Sequence, residues 1–181
     1  MSCAAANGSK LRYLYVTGAS YSGSTLLALL LNAHSQTASF GEPLERRWKV
    51  QMYRCSCGAL LLQCPFFVEL GERVRELDGA FRLDDWQAIF ELSNHALWNY
   101  LLVRPMPSVF LDRVRDALVS RWPAYNEAIL QIKRRVYHLA QATLDVTGKQ
   151  VFVDTRKDPM RIKFLSEIPE IDLRVIHLIR D

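Results

Sequence analysis

KLRYLYVTGASYSGSTLLALLLNA, residues 10–33, is the stretch of this chain that decides its fold. Lys10 to Thr17 mix β-branched and aromatic side chains, which predicts a strand. Gly18 to Gly23 interrupt that pattern, and the apolar run from Ser24 to Ala33 predicts a buried helix. Strand, glycine-bounded turn and helix in this order favour an anion-binding loop. The turn directs backbone N–H groups inward, and the helix N-terminus adds partial positive charge.

Other interpretations of the loop remain open. Gly18 and Gly23 have the G-x4-G spacing of a nucleotide P-loop, but Ser24 stands where an NTPase has the lysine that reaches the β- and γ-phosphates. A nucleotide kinase-like protein is therefore disfavoured, although it remains an alternative. The hydroxyls of Ser22, Ser24 and Thr25 are further donors. The simplest alternative is a tight turn without a ligand.

Beyond the loop, strand and helix patterns alternate. Thr37–Phe40 and Val151–Val153 predict short strands, and Leu173–Ile179 predicts a mostly apolar strand of the kind that is covered on both faces. Asp158 followed by Pro159 predicts the start of a helix running to about Ile168. The order predicts an α/β fold with a parallel sheet and right-handed crossovers.

The middle of the chain is predicted to be helical. Asp85–Leu102 and Tyr125–Leu144 both carry apolar side chains at helical spacing. In the first segment the predicted face is Trp86, Ile89, Phe90, Leu97, Tyr100 and Leu101. We therefore expect one domain over residues 1–181, a P-loop-like parallel sheet with flanking helices, carrying a mainly helical insertion at residues 45–147. Because the chain stops directly after a buried-type strand, we expect the C-terminal part of the fold to be missing.

Composition excludes several classes of protein. The net charge of +4 suits anionic ligands but is too small to indicate nucleic-acid binding. The sequence has no run of about 18 uncharged apolar residues, so we expect no membrane span. Met1 to Ser9 lack the charged-then-apolar order of a signal peptide, and we expect a cytoplasmic protein.

The chain has four cysteines, of which Cys55, Cys57 and Cys64 lie within ten residues and Cys3 is distant. Structural zinc sites usually take four ligands, often from paired C-x2-C units. A reduced cysteine-rich turn is therefore favoured over a metal site, and we expect no metal. A disulfide is unexpected in a cytoplasmic protein.

Segments in the first half of the chain resemble the sulfotransferases that use 3′-phosphoadenosine 5′-phosphosulfate (PAPS). Residues 21–27, YSGSTLL, are similar to the loop that holds the 5′-phosphosulfate, and Gly41-Glu42 to a Gly-Glu pair of the Golgi and bacterial branches. CSCG at residues 55–58 with CPFF at residues 64–67 resembles an insert of many bacterial members.

Two further segments extend the resemblance to the end of the chain. Asp154–Lys157 resembles the family's Asp-x-x-Lys segment, and Val175–Asp181 resembles the start of its 3′-phosphate motif. The chain departs from the family at Tyr21, where the sulfotransferases usually have arginine or lysine. It also ends before the serine that completes the 3′-phosphate motif.

The resemblance implies transfer of a sulfuryl group from PAPS, without a metal, to the hydroxyl or amine of a small-molecule or carbohydrate acceptor. Glu42 is the expected base, and Lys157 is expected to neutralise charge on the leaving group. The donor is expected to be bound by Tyr21, Ser22, Gly23, Ser24 and Thr25 at its 5′ end and by Arg180 at its 3′-phosphate. The alternative is a degenerate or truncated, non-catalytic member that binds an anion or a protein partner.

Overall fold

The structure, a computed structural model, describes residues 10–39, 53–84, 88, 90, 92 and 96–179. Within these ranges four strands form one sheet, namely β1 (Leu11–Gly18), β2 (Thr37–Ala38), β3 (Val151–Asp154) and β4 (Ile171–Leu178). Their order across the sheet is β2-β3-β1-β4, and every pairing is parallel. The predicted α/β class with a parallel sheet is confirmed.

Helices separate the strands along the chain. In the described ranges α1 (Ser24–Asn32) lies between β1 and β2, and α6 (Pro159–Ser166) lies between β3 and β4. The segment between β2 and β3 contains α2 (Pro65–Leu77), α3 (Ala96–Val103), α4 (Val109–Val119) and α5 (Pro123–Thr147). Among the helices that can be described, none is both long enough and apolar enough to cross a bilayer. The division into a domain and an insertion stays a prediction.

The main core lies on one face of the sheet. Tyr13 and Tyr15 of β1 and Phe152 of β3 are buried there with side chains of α2, α5 and α6. The second middle segment was predicted to carry Ile129, Ile132, Val136, Leu139 and Thr143 on one helical face; it lies in α5, which buries all of these except the half-buried Ile132. Alternation along β1 places Leu14 and Val16 on the opposite face of the sheet.

A buried polar network joins β1, β3 and α6 inside this core. The Asp154 carboxylate accepts hydrogen bonds from the Tyr13 hydroxyl at 2.5 Å and from Arg161 Nε at 2.7 Å. Arg161 Nη1 donates to the carbonyl oxygen of Ala88 at 2.8 Å. Burial raises the pKa of the Tyr13 hydroxyl well above its ordinary value, and the Asp154 charge acts in the same direction. Tyr13 therefore stays protonated and donates.

The predicted start of a helix at Asp158-Pro159 is confirmed by α6. Asp158 Oδ1 accepts a hydrogen bond from the backbone N–H of Met160 at 3.0 Å, and Pro159 is the first helical residue. The Tyr15 hydroxyl donates to the carbonyl oxygen of Asp158 at 2.8 Å and accepts from its N–H at 3.1 Å. The turn between β3 and α6 is thus fixed at both backbone groups of Asp158.

The helix predicted over Asp85–Leu102 is wrong in its extent. Helix α3 begins at Ala96, and the described residues before it, such as Phe90 and Leu92, are not helical. The N–H of Leu92 bonds to Oδ1 of the buried Asn99, so the chain folds back on α3 instead of continuing it. Leu97, Tyr100 and Leu101 of the predicted face are exposed.

Two further burial predictions are wrong. In α1, Leu26, Leu29 and Leu30 are exposed, because the sheet contacts only one side of a helix whose apolar run has no periodicity. β4 pairs with β1 alone among the described strands, which makes it an edge of the sheet. Val175 is 45% exposed instead of covered on both faces.

Because Asp154 is buried, we expect that removing its cationic partner lowers the free energy of unfolding strongly. Arg161→Met leaves the buried carboxylate without its cation and should lower the free energy of unfolding by about 3–5 kcal/mol. The matched control is Arg174→Met, because Arg174 pairs with Asp172 at the surface, where loss of a pair costs less than about 1 kcal/mol. Urea unfolding measures both, and equal losses would contradict the assignment.

Candidate functional site

The carboxyl ends of β1 and β3 form a crevice. The chain leaves β1 toward β2 at one edge of the sheet and leaves β3 toward β4 at the opposite edge. Adjacent parallel strands whose connections diverge in this way create a topological switch point, the usual ligand position in open α/β sheets. The loop at residues 18–23 and the turn from Thr155 to Asp158 therefore border the crevice.

The loop after β1 is built on two left-handed residues. Tyr21 has φ 67° and Gly23 has φ 88°. Between them, the N–H of Ser22 donates to the carbonyl oxygen of Ala19 at 3.2 Å, which closes a tight turn. A side chain at φ 67° is uncommon and strained, whereas glycine adopts this region freely. Alternating left-handed positions turn successive N–H groups toward a common point, as in anion-binding nests.

Helix α1 begins at this loop without a side-chain cap. Gly23 occupies the N-cap position and supplies no side-chain acceptor, and the first turn, which is described throughout, has no acidic residue. The first N–H groups of an α-helix have no acceptor within the helix. The α1 N-terminus therefore offers N–H donors that are not used within the helix, together with partial positive charge.

Ser22 carries a second unsatisfied group. Its Oγ is buried and has no hydrogen-bond partner among the residues that the structure describes. Burying a hydroxyl without a partner costs about 1–3 kcal/mol, so such groups usually indicate a ligand or a water molecule. Ser24 is also buried, whereas the hydroxyl-bearing Thr25 is exposed.

Gly18 is closely surrounded. A Cβ added to Gly18 would lie 2.7 Å from Ser22 Oγ and 2.8 Å from the carbonyl oxygen of Leu178. The loop is thus packed against the end of β4 as well as against itself. By contrast, a Cβ at Gly23 would meet nothing within 4 Å. The loop is tight at its base and open where the helix begins.

Lys157 lies in the turn after β3 and is exposed. Asp154 of the same segment is buried, and its Oδ1 accepts from the backbone N–H of Arg156 at 3.1 Å. In this chain Asp154 is therefore a structural residue that shapes the turn. The sequence pattern identified the Asp-x-x-Lys segment but gave no sign of the buried ion pair with Arg161.

The predicted site residues fall into two groups. Ser22, Gly23, Ser24 and Thr25 lie together at the α1 N-terminus, with the 86% exposed Tyr21 beside them. Glu42, the predicted base, and Arg180, the predicted 3′-phosphate ligand, lie outside the described residues. Their roles stay predictions.

The three clustered cysteines come together in space. The Sγ atoms of Cys55, Cys57 and Cys64 all lie within 4.8 Å of one another. The N–H of Cys57 lowers the pKa of the Cys55 thiol to about 7, in spite of an opposing effect of burial. Burial raises the pKa of the Cys64 thiol. The ten-residue spacing indicated that the three cysteines lie near one another. The sequence alone could not show that their Sγ atoms meet at one point.

Two cavities lie away from the loop. One, of about 410 Å³, is bordered by α4, α5 and α6 and contains Lys133 and Lys163, which pair with Glu167 and Asp116. The other, of about 260 Å³, is mostly apolar and is lined by Leu92, Trp122 and residues of α3 and α5 that include Trp98. Neither is lined by Lys157 or by the loop after β1.

Comparison with protein-family models, with curated proteins and with solved structures finds no match to this chain.

The packing of the loop predicts that Gly18 tolerates no side chain. Gly18→Ala forces the backbone carbonyl of Leu178 to move and should lower the free energy of unfolding by about 1–3 kcal/mol. Gly79→Ala is the matched control, because its added Cβ meets nothing within 4 Å, and we expect a change within about 0.5 kcal/mol. Urea unfolding of both variants checks this, and similar values for the two would refute the described packing.

Proposed function

We propose that the loop after β1 binds the 5′-phosphosulfate of PAPS and that the protein is a sulfotransferase. The observation that supports this most is the buried Ser22 Oγ, which has no partner among the described residues, beside an α1 N-terminus whose N-cap residue is a glycine. An anion at that point would accept hydrogen bonds from the hydroxyl and from the free N–H groups together. The acceptor would be a hydroxyl or an amine of a small molecule or carbohydrate, as the sequence resemblance implies.

The charge of the loop favours a sulfuryl over a terminal phosphoryl group. The loop has no lysine at Ser24, so only dipoles and hydroxyls face the ligand there. The sulfuryl group of the donor carries less negative charge than a γ-phosphate and needs less neutralisation. A nucleotide kinase would require the cation that this loop lacks.

In the proposed reaction the acceptor oxygen or nitrogen attacks sulfur. The bond from sulfur to the bridging 5′-phosphate oxygen breaks, and adenosine 3′,5′-bisphosphate leaves with the electron pair. Lys157, in the turn across the crevice from the loop, would neutralise charge on the leaving oxygen. Glu42 would take the acceptor proton, and Arg180 would bind the 3′-phosphate. These last two roles rest on the sequence resemblance.

A second candidate is a protein that binds the anion without catalysis. Tyr21 favours it, because the sulfotransferases that the sequence resembles usually have a basic residue there and a phenol carries no positive charge. Tyr21 is also 86% exposed. The two candidates share the anion site and differ only in turnover, so binding and turnover need separate experiments.

Ser22→Ala separates a ligand role from a structural one. Because Ser22 Oγ has no described partner, its removal should leave the unfolding free energy unchanged or slightly higher. A hydrogen bond to a charged group is worth about 1.5–3 kcal/mol, so affinity for PAPS should fall about 10- to 100-fold. Isothermal titration with PAPS measures the affinity.

The control for this prediction is Ser166→Ala, which removes an exposed hydroxyl bonded to the Lys163 carbonyl in the last turn of α6. It should bind PAPS like the unaltered chain. Failure of the unaltered chain to bind PAPS would overturn the proposed function. If the Ser22→Ala variant binds PAPS with the same affinity as the unaltered chain, the Ser22 hydroxyl does not contact the ligand.

Lys157→Met tests the catalytic step. We expect hydrolysis of PAPS, with water as the acceptor, to slow about 100-fold, as when one transition-state donor is removed from an active site. Lys149→Met is the matched control, because Lys149 lies before the amino end of β3 and donates to the carbonyl oxygen of Asn32. Release of adenosine 3′,5′-bisphosphate is followed by chromatography. Equal rates for the two variants would exclude Lys157 from the reaction.

A further inference from the structure

A closed turn presents two of the three clustered cysteines. The N–H of Gly58 donates to the carbonyl oxygen of Cys55 at 2.8 Å, and the N–H of Cys55 donates to the carbonyl oxygen of Ala59 at 2.9 Å. Gly58 has φ 87°, which allows the chain to reverse directly after Cys57. Arg54 Nη1 also donates to the carbonyl oxygen of Gly58 at 2.8 Å. The turn is therefore fixed by its backbone before any ligand binds.

The third cysteine comes from the start of a helix. Cys64 is buried and occupies the N-cap position of α2, a helix of 13 residues without an acidic residue in its first turn. The partial positive charge of the helix N-terminus acts against burial, which raises the pKa of the Cys64 thiol. Leu70 and Val74 of α2 lie in the core. The N–H of Cys64 donates to the carbonyl oxygen of Leu61, whose own N–H donates to the carbonyl oxygen of Tyr53, so the helix start and the turn are held together.

The distances suit three ligands of one ion. Sγ of Cys57 lies 3.6 Å from Sγ of Cys64, and all three Sγ atoms lie within 4.8 Å of one another. Thiolates bound tetrahedrally to zinc at about 2.3 Å are about 3.8 Å apart. A disulfide would require about 2.05 Å.

We propose that Cys55, Cys57 and Cys64 bind one Zn²⁺ ion as three thiolates. Cys57 is exposed, so the fourth position of the tetrahedron faces solvent and takes a water molecule. The bound group carries one negative charge, which the α2 N-terminus offsets. The ion would link the turn at residues 53–60 to α2, and the site does not depend on the proposed sulfotransferase activity.

This inference reverses the expectation from spacing alone. Three cysteines without a fourth nearby favoured a reduced turn. The structure adds that all three sulfur atoms converge, two from the turn and one from the start of α2.

Cobalt titration of the full chain tests the proposal. The reduced, metal-free protein should develop sulfur-to-cobalt charge-transfer absorption that saturates at one Co²⁺ per chain, and one equivalent of Zn²⁺ should abolish it. Zn²⁺ should also raise the melting temperature, because a ligand that binds only the folded state stabilises it. Absence of binding, or a stoichiometry other than one, would overturn the site.

Cysteine-to-serine variants test which thiols bind the metal ion. Cys57→Ser changes an exposed thiol and should keep the fold by circular dichroism while losing the charge-transfer band and the zinc-dependent rise in melting temperature. Cys3→Ser is the matched control and should keep both. Retention of the band in Cys57→Ser, or its loss in Cys3→Ser, would contradict the three-cysteine assignment. So would thiol counting that finds a Cys57–Cys64 disulfide in protein isolated without oxidant.

Discussion

The carboxylate of Asp154 is the group on which the arrangement of the site depends. It lies at the end of β3, is 2% exposed, and binds the Tyr13 hydroxyl of β1 and the guanidinium of Arg161 in α6. A charge in the core is tolerated only when its partners are well placed, and removing one partner is strongly destabilising. The network therefore fixes β1, β3 and α6 relative to one another, and with them both sides of the crevice.

On this scaffold the loop after β1 combines strain with unsatisfied donors. Tyr21 in a left-handed conformation, a buried Ser22 hydroxyl without a described partner and an uncapped helix each cost free energy in the unliganded protein. An anion would offset the last two costs at once, because it accepts from the hydroxyl and the N–H groups and complements the helix dipole. A turn that only connects a strand to a helix would not be expected to combine these unfavourable features.

The sequence predicted the elements whose signals are local. The Asp158 cap, the proline after it and the strand before the loop depend on neighbouring residues, so they could be identified without a fold. The exposure of Leu26, Leu29 and Leu30 could not be predicted, because an unbroken apolar run does not indicate which side meets the sheet. The Asp154–Arg161 pair and the convergence of Cys64 with Cys55 are tertiary contacts, and spacing alone does not encode them.

The central claim is that an anion binds at the α1 N-terminus, and amide chemical shifts test it most directly. Adenosine 3′,5′-bisphosphate lacks the sulfuryl group but keeps the 5′-phosphate, so titrating it into ¹⁵N-labelled protein should shift the amide signals of residues 22–25 most. Signals of the turn at residues 53–60 should stay in place, because that turn belongs to a separate site. No shift at residues 22–25 at saturating ligand, or larger shifts elsewhere in the sheet, would contradict the account.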